Sequence, residues 1–132
     1  VEIRKYTKAD EEQLFSIIAE EGEAWRDYHS PAGREKYIQA LSTSATYIAY
    51  EGNVACGYVR CREDNGIGIY VYDLLVRRSC RGRSIGKMLM ENVGRDFPGQ
   101  AVHVMSGVDP YYEKLGYHKE GSIYLVSEGK PD

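Results

Sequence analysis

The sequence contains no apolar run near the roughly 18 residues a helical membrane span requires, no internal repeat and no low-complexity or linker-like tract. A helical membrane-spanning protein and a repeat array are thereby set aside, and no membrane partner is expected. Cysteine is scarce: Cys56, Cys61 and Cys80 are odd in number, and no pair has C-x-x-C spacing. With His29, His103 and His118 scattered, neither a disulfide framework nor a zinc site is indicated. Reduced, mostly buried thiols and no metal are the expectation. The first residues, Val1 to Glu12, are too charged for a secretory signal, so a cytoplasmic protein is expected. The first residue is not Met, which points to trimming and leaves a longer precursor open.

What is present is an ordinary globular composition. The 132 residues are 42% hydrophobic and 28% charged, which rules out global disorder. A chain of this length buries roughly two-thirds of the surface its unfolded form exposes, enough for one domain spanning 1–132. The net charge of -3 disfavours nonspecific nucleic-acid binding, so no nucleic-acid partner is expected. The average hides an asymmetry. Arg77, Arg78, Arg81, Arg83 and Lys87 stand within eleven residues that hold no acid, a local +5 that leaves -8 on the rest.

Periodicity gives a coarse order of elements. Glu2 to Tyr6 alternates as a short strand. Asp10 can cap a helix in which Leu14, Ile17, Ile18 and Trp25 recur near helical spacing. Ser30-Pro31 is a start signal for a second helix carrying Tyr37, Ile38 and Leu41. Ala45 to Tyr50 and Val54 to Cys61 read as a hairpin around Glu51-Gly52-Asn53. Ile67 to Val76 is the longest β-rich run and predicts a central strand. Ser84 to Arg95 follows as a helix, with Ile85, Met88, Leu89 and Val93 on one face, and Ala101 to Met105 as a short buried strand. Asp109-Pro110 opens a brief helix that Gly116 ends, and Tyr117 to Val126 predicts a last strand. The order is that of an α/β fold with a mixed sheet, because hairpins give antiparallel neighbours whereas strand-helix-strand over 67 to 105 demands a parallel pair.

The informative junction is Val76-Arg-Arg-Ser-Cys-Arg-Gly-Arg-Ser-Ile-Gly-Lys87, a strand leading through a basic, glycine-containing turn into a helix. Such a turn presents unpaired backbone N–H groups at the positive end of a helix dipole, which suits a phosphate-rich ligand. The phosphate-binding pattern G-x-x-x-x-G-K-[ST] fails, since Gly82 and Gly86 are separated by three residues and Met88 follows Lys87. The dinucleotide pattern G-x-G-x-x-G is also absent.

The segment resembles the acyl-CoA-binding motif of the GNAT acetyltransferase superfamily, [RQ]-x-x-G-x-[GA] after a strand ending in an L-x-V-like triplet. Leu74-Leu75-Val76, Arg81 and Gly86 match; Ser84 stands where the family has its middle glycine. Further on, Tyr111-Tyr112-Glu113-Lys114-Leu115-Gly116-Tyr117 is similar to the family's F-Y-E-K-L-G-F. Many relatives carry an Asn before this second motif, where Ser106, Gly107 and Asp109 stand here.

The resemblance implies a GNAT fold: a mixed, mostly antiparallel twisted sheet with a splayed parallel strand pair, flanked by about four helices. It implies acetyl-CoA as co-substrate and direct transfer of its acetyl group to a primary amine on a small molecule or a peptide. Backbone groups of Leu74, Leu75 and Val76 would pair with pantetheine, and Arg81, Gly82, Arg83, Ser84, Ile85, Gly86 and Lys87 would hold the pyrophosphate. Tyr112 aligns with the general acid. Asp73 is the first candidate for general base and Glu51 the second, and the Val76 N–H could stabilise the oxyanion. Trp25, Tyr28 and His29, with Tyr37 behind, would wall the acceptor site. Residues 10 to 23 hold six acids and no base, which favours a cationic acceptor. The expected assembly is a monomer or homodimer. The alternative to an enzyme is a noncatalytic CoA-binding or interaction module of the same fold.

Overall fold

The computed structural model describes residues 1–129; the expected domain span of 1–132 runs beyond them. Five strands form one sheet in sequential order: β1 (Glu2–Lys5), β2 (Ala45–Glu51), β3 (Val54–Glu63), β4 (Ile69–Val76) and β5 (Val102–Val104). Every neighbouring pair is antiparallel except β4 and β5. The helices are α1 (Glu11–Ala19), α2 (Arg26–His29), α3 (Pro31–Ser42), α4 (Ile85–Asp96) and α5 (Asp109–Lys114). The single-turn α2 is the one beyond the expected four. No helix among the described residues is long and apolar enough to cross a membrane.

Each face of the sheet buries its own core. α1 offers Leu14, Phe15, Ile17 and Ile18, spaced for one helical face, and with Tyr37 and Leu41 of α3 they cover Ile48, Tyr58 and Leu75. On the other face α4 lays Ile85, Leu89 and Val93 over Val59, Ile69 and Val71. Fully burying one such side chain is worth about 1.5–3 kcal/mol. The α3 start follows the expectation: the Ser30 hydroxyl accepts the Gly33 N–H at 3.2 Å, and Pro31 occupies the first turn.

Two expectations are corrected. Asp10 makes no side-chain cap on α1; its carboxylate is 1% exposed and accepts from the Thr7 N–H, the Tyr50 hydroxyl and the Arg4 guanidinium. Tyr117 to Val126 forms no strand. β5 offers only Val102–Val104 as an edge, and Ile123 to Val126 lie exposed with no ladder. High β-propensity without a packing partner is a weak determinant.

The feature that positions the site is a bulge in β4. Register runs from Gly57↔Val76 to Arg60↔Asp73, then resumes at Cys61↔Val71, leaving Tyr72 without a partner. The parallel pairing of β4 with β5 covers only Ile69–Val71 against Val102–Val104 and stops at this bulge.

Candidate active site

Beyond the bulge, the β5-facing edge of β4 has no strand beside it among the described residues. Arg77 N–H donates to Cys56 C=O at 2.7 Å, which fixes the hydrogen-bond phase against β3. Alternation then gives the backbone groups of Leu75 to β3 and turns those of Leu74 and Val76 toward the gap. Of the triplet Leu74, Leu75 and Val76, two residues therefore face the divergence. The third instead buries its side chain under α1 and α3. The Val76 carbonyl accepts from Arg81 Nε at 2.9 Å.

The chain continues into the basic turn. Gly82 has φ +79°, and Ser84 holds φ +62° at the start of α4. Ser84, the residue standing where a glycine was expected, thus occupies left-handed space that L residues enter at a cost. The first ladder bond of α4 runs from Met88 N–H to Ser84 C=O at 3.0 Å. By helix geometry, the N–H groups of Ile85, Gly86 and Lys87 have no intrahelical acceptor. A Cβ on Gly82 would meet nothing within 4 Å, so the turn has room above it. Gly86 differs: a Cβ there would lie 2.1 Å from the Tyr111 hydroxyl. The two halves of the sequence resemblance are brought into contact at this point.

The five cations are not an open field. Arg77 pairs with Glu20, Arg78 and Arg81 with Glu21 at 3.3 and 3.1 Å, Arg83 with Glu51, and Lys87 with Glu91 at 3.9 Å. Glu51, the second candidate base, is thereby placed beside the turn. Composition could not show the pairing of the arginines, because their acids come from just after α1 and from the end of β2.

Asp73 lies on the opposite face, toward α3. Its Oδ2 accepts from Arg60 Nε and from the Tyr37 hydroxyl, each at 2.6 Å, and Tyr37 shares a 2.8 Å hydrogen bond with the Tyr58 hydroxyl. Burial, then the Asp73 charge, pushes Tyr37 up. Trp25 and Tyr28 meet as tilted rings with centroids 5.3 Å apart, and Tyr28 and Tyr37 likewise at 5.1 Å, joining the expected acceptor wall to Asp73. The His29 Nε2 is 3.0 Å from Gly22 C=O, where it closes the loop before α2. Arg60 escaped the sequence reading; its signal was a cation within a β-rich run.

Tyr112 is on α5, on α4's side of the sheet. It is half-buried against Tyr111 and Tyr117, and burial with those two neighbours pushes it up to about 12. It borders a groove of about 860 Å³ along β5, together with Met90, His103, Val104 and Ser106. That groove does not include Leu74–Val76 or the basic turn. Asp73 and Tyr112 thus lie on opposite faces of the sheet.

Known proteins agree with this architecture. Residues 6–127 match the family model of the acetyltransferase (GNAT) domain. A GNAT-family acetyltransferase of Streptococcus pneumoniae is similar over 96% of this chain and 98% of its own, with 23% identity and a TM-score of 0.73. An aminoglycoside N-acetyltransferase in complex with CoA is similar over 98% and 95%, with 16% identity and a TM-score of 0.74. An aminoglycoside 6'-N-acetyltransferase of Acinetobacter haemolyticus covers 100% of both chains, with 15% identity and a TM-score of 0.71. A search of curated proteins gave no match. With 6–127 matched, the chain belongs to the GNAT acetyltransferase family.

Proposed function

We propose that the protein transfers an acetyl group from acetyl-CoA to a primary amine. The observation that carries this reading is the set of backbone groups left without a backbone partner, those of Leu74 and Val76 facing the gap and the N–H groups of Ile85–Lys87 at the start of α4. It fits a ligand with amides at one end and phosphates at the other. The Leu74 carbonyl and the Val76 N–H would hold the pantetheine, and the N–H groups of Gly82 to Lys87 the pyrophosphate. Arg81 and Arg83 would exchange their glutamate partners for phosphate oxygens. Acetyl-CoA supplies the activated acyl thioester when bound.

The remaining needs fall on this chain's residues. The Leu74 N–H, the first after the bulge to face the gap, is the donor nearest the divergence and takes the oxyanion role expected of Val76. Tyr112, held near 12, is protonated at neutral pH. Full proton transfer to a thiolate of pKa about 8.5 would be uphill, so its contribution is a hydrogen bond to the departing sulfur. An amine of pKa about 10.4 is neutral about once in 2,500 molecules at pH 7. Turnover should therefore rise with pH.

The test combines isothermal titration of acetyl-CoA with thiol release across a panel of primary amines. Binding together with amine-dependent release is expected. No binding at millimolar acetyl-CoA overturns the reading. Binding without release from any amine leaves the noncatalytic coenzyme-binding module.

A further inference from the structure

Asp73 is a buried carboxylate with one oxygen left over. It is 8% exposed, yet both of its donors, Arg60 Nε and the Tyr37 hydroxyl, end on Oδ2. Among the described residues Oδ1 has no hydrogen-bond partner. It is not sealed in either, because the sealed and unpartnered side-chain polar atoms of these residues are Thr46 Oγ1 and Gln100 Oε1. A nearly buried carboxylate oxygen that still reaches the surface is costly unless a donor completes it.

The surroundings indicate which donor. Tyr37 and Tyr58 close the inner side, at 3% and 0% exposure. Arg60 is already committed, with Nε on Asp73 and Nη1 on Ser44 Oγ at 3.1 Å. Two exposed tyrosines, Tyr28 and Tyr72, pack on the groups that hold Asp73. Tyr28 packs on Tyr37 as a tilted ring, and burial followed by the Asp73 charge pushes its hydroxyl up. Tyr72, the bulged residue next in the chain, lies over the Arg60 guanidinium at 5.2 Å. A carboxylate oxygen that reaches the surface within a cluster of tyrosines has the chemistry that recognises an ammonium group.

We propose that Asp73 Oδ1 anchors a cationic nitrogen of the acceptor, and that this nitrogen is not the one acetylated. A nitrogen held as an ammonium has no lone pair with which to attack. The acceptor therefore carries at least two amino groups, one anchored and one reacting. In the transfer, the lone pair of the second, neutral nitrogen forms the C–N bond, and the C–S bond breaks with its electron pair on sulfur. The reacting nitrogen's surplus proton leaves to water, the sulfur is protonated to the free thiol, and the anchored ammonium is unchanged. Asp73 is then a binding residue and not the proton acceptor expected from its place in the sequence. The inference rests on the acetyltransferase reading above and adds the acceptor class to it.

The experiment compares 1,4-diaminobutane with n-butylamine at fixed saturating acetyl-CoA, with acetyl-CoA binding titrated in parallel. The expected kcat/KM for the diamine exceeds that for the monoamine by about tenfold or more, the worth of one hydrogen bond between charged groups. In Asp73→Asn that ratio collapses toward one through the diamine KM. Because Asp73→Asn leaves Arg60 unpaired and can unfold the protein, Tyr28→Leu and Tyr72→Leu provide a second route, and each should lower the ratio by roughly threefold. Failure to bind acetyl-CoA defeats the acetyltransferase reading itself. Binding without a diamine preference, whether both amines react or neither does, overturns the anchor alone. So does an Asp73→Asn protein whose kcat falls equally for both amines with KM unmoved, the behaviour of a proton acceptor.

Discussion

Replacing Gly86 by alanine puts a methyl group where Tyr111 already rests. A Cβ built there would lie 2.1 Å from the Tyr111 hydroxyl oxygen, 3.4 Å from its Cζ and 3.7 Å from Val76 Cγ2. The first distance is a collision; the other two are tolerable contacts. The overlap is therefore confined to one oxygen, and Tyr111→Phe removes it. Gly86→Ala alone must displace the ring, an overpacking cost of about 1–3 kcal/mol, offset by up to roughly 1 kcal/mol from exchanging glycine for alanine in a helix. Tyr111→Phe alone should be close to neutral, since Tyr111 is 40% exposed and its ring remains. In the double variant the methyl fits and the helix gain is kept, so the protein should equal or slightly exceed the parent in stability. The expected coupling between the two sites is about 1–3 kcal/mol, well above the roughly 0.5 kcal/mol scatter of independent positions. Urea unfolding of the four proteins measures it directly. Thermal melts give a second reading at roughly 3–5 °C per kcal/mol for a chain of this size. Single-variant effects that simply add would refute the packing of the Tyr111 hydroxyl on Gly86.

Three other perturbations test separate parts of the structure. Tyr112→Phe should lower kcat about 10–100-fold with little change in acetyl-CoA affinity; because Tyr112 is held near 12, the parent's rate should show no alkaline fall due to this group below about pH 11. Ser84→Gly relieves a left-handed residue at φ +62° and should raise stability by about 0.5–1 kcal/mol in chemical unfolding, with loss of stability contradicting the strain. Burial opposes the charged form of Asp10, but the Thr7 N–H, the Tyr50 hydroxyl and Arg4 outweigh it and hold the carboxyl below its ordinary range. Its stabilisation is therefore complete above the unfolded value of about 3.9 and lost as pH falls through the lower folded value. Asp10→Asn should remove that acid-sensitive component, and unchanged acid unfolding would count against it.

The elements legible in the sequence were those whose signals are local. Ser30-Pro31 marks a helix start with side-chain chemistry that needs only Gly33 three residues on, and the Glu51-Gly52-Asn53 turn needs only its flanking strands. The parallel pair also followed, because a helix between two strands leaves no other connection. Long-range facts were not legible. Nothing in the basic turn shows that Glu20, Glu21 and Glu51 fold back onto its arginines, since those acids lie 32 to 60 positions away. Asp10 reads as a helix cap because its neighbours invite one, yet Tyr50, forty residues on, competes for it and wins. Tyr117 to Val126 has a strand's composition, but composition cannot supply the edge that a strand must pair with. Tyr112 and Asp73 were picked out by resemblance and by position; only the fold shows that they lie on opposite sides of the sheet, and that Arg60 and Tyr37 hold one oxygen of Asp73 and leave the other open.

A single inserted residue accounts for both halves of this site. Ile69, Val71, Asp73 and Leu75 are all odd-numbered, and an uninterrupted strand would turn all of them to the same face. Tyr72 has no partner on β3, so alternation restarts after it. Ile69 and Val71 stay in the α4 core, whereas Leu75 enters the core under α1 and α3, and Asp73 meets Tyr37 of α3. Without the bulge, Asp73 would point into the apolar layer beneath α4, beyond reach of Arg60 and Tyr37, and its burial would be prohibitive. The bulge also bends the strand, and the β4–β5 ladder ends beside it at Val71↔Val104. The backbone of Leu74 and Val76 is opened on one edge by the same residue that presents the acid on one face. Deleting Tyr72 would therefore invert the facing of every residue on one side of it, placing either the carboxylate or the α4-facing core of β4 on the wrong side of the sheet.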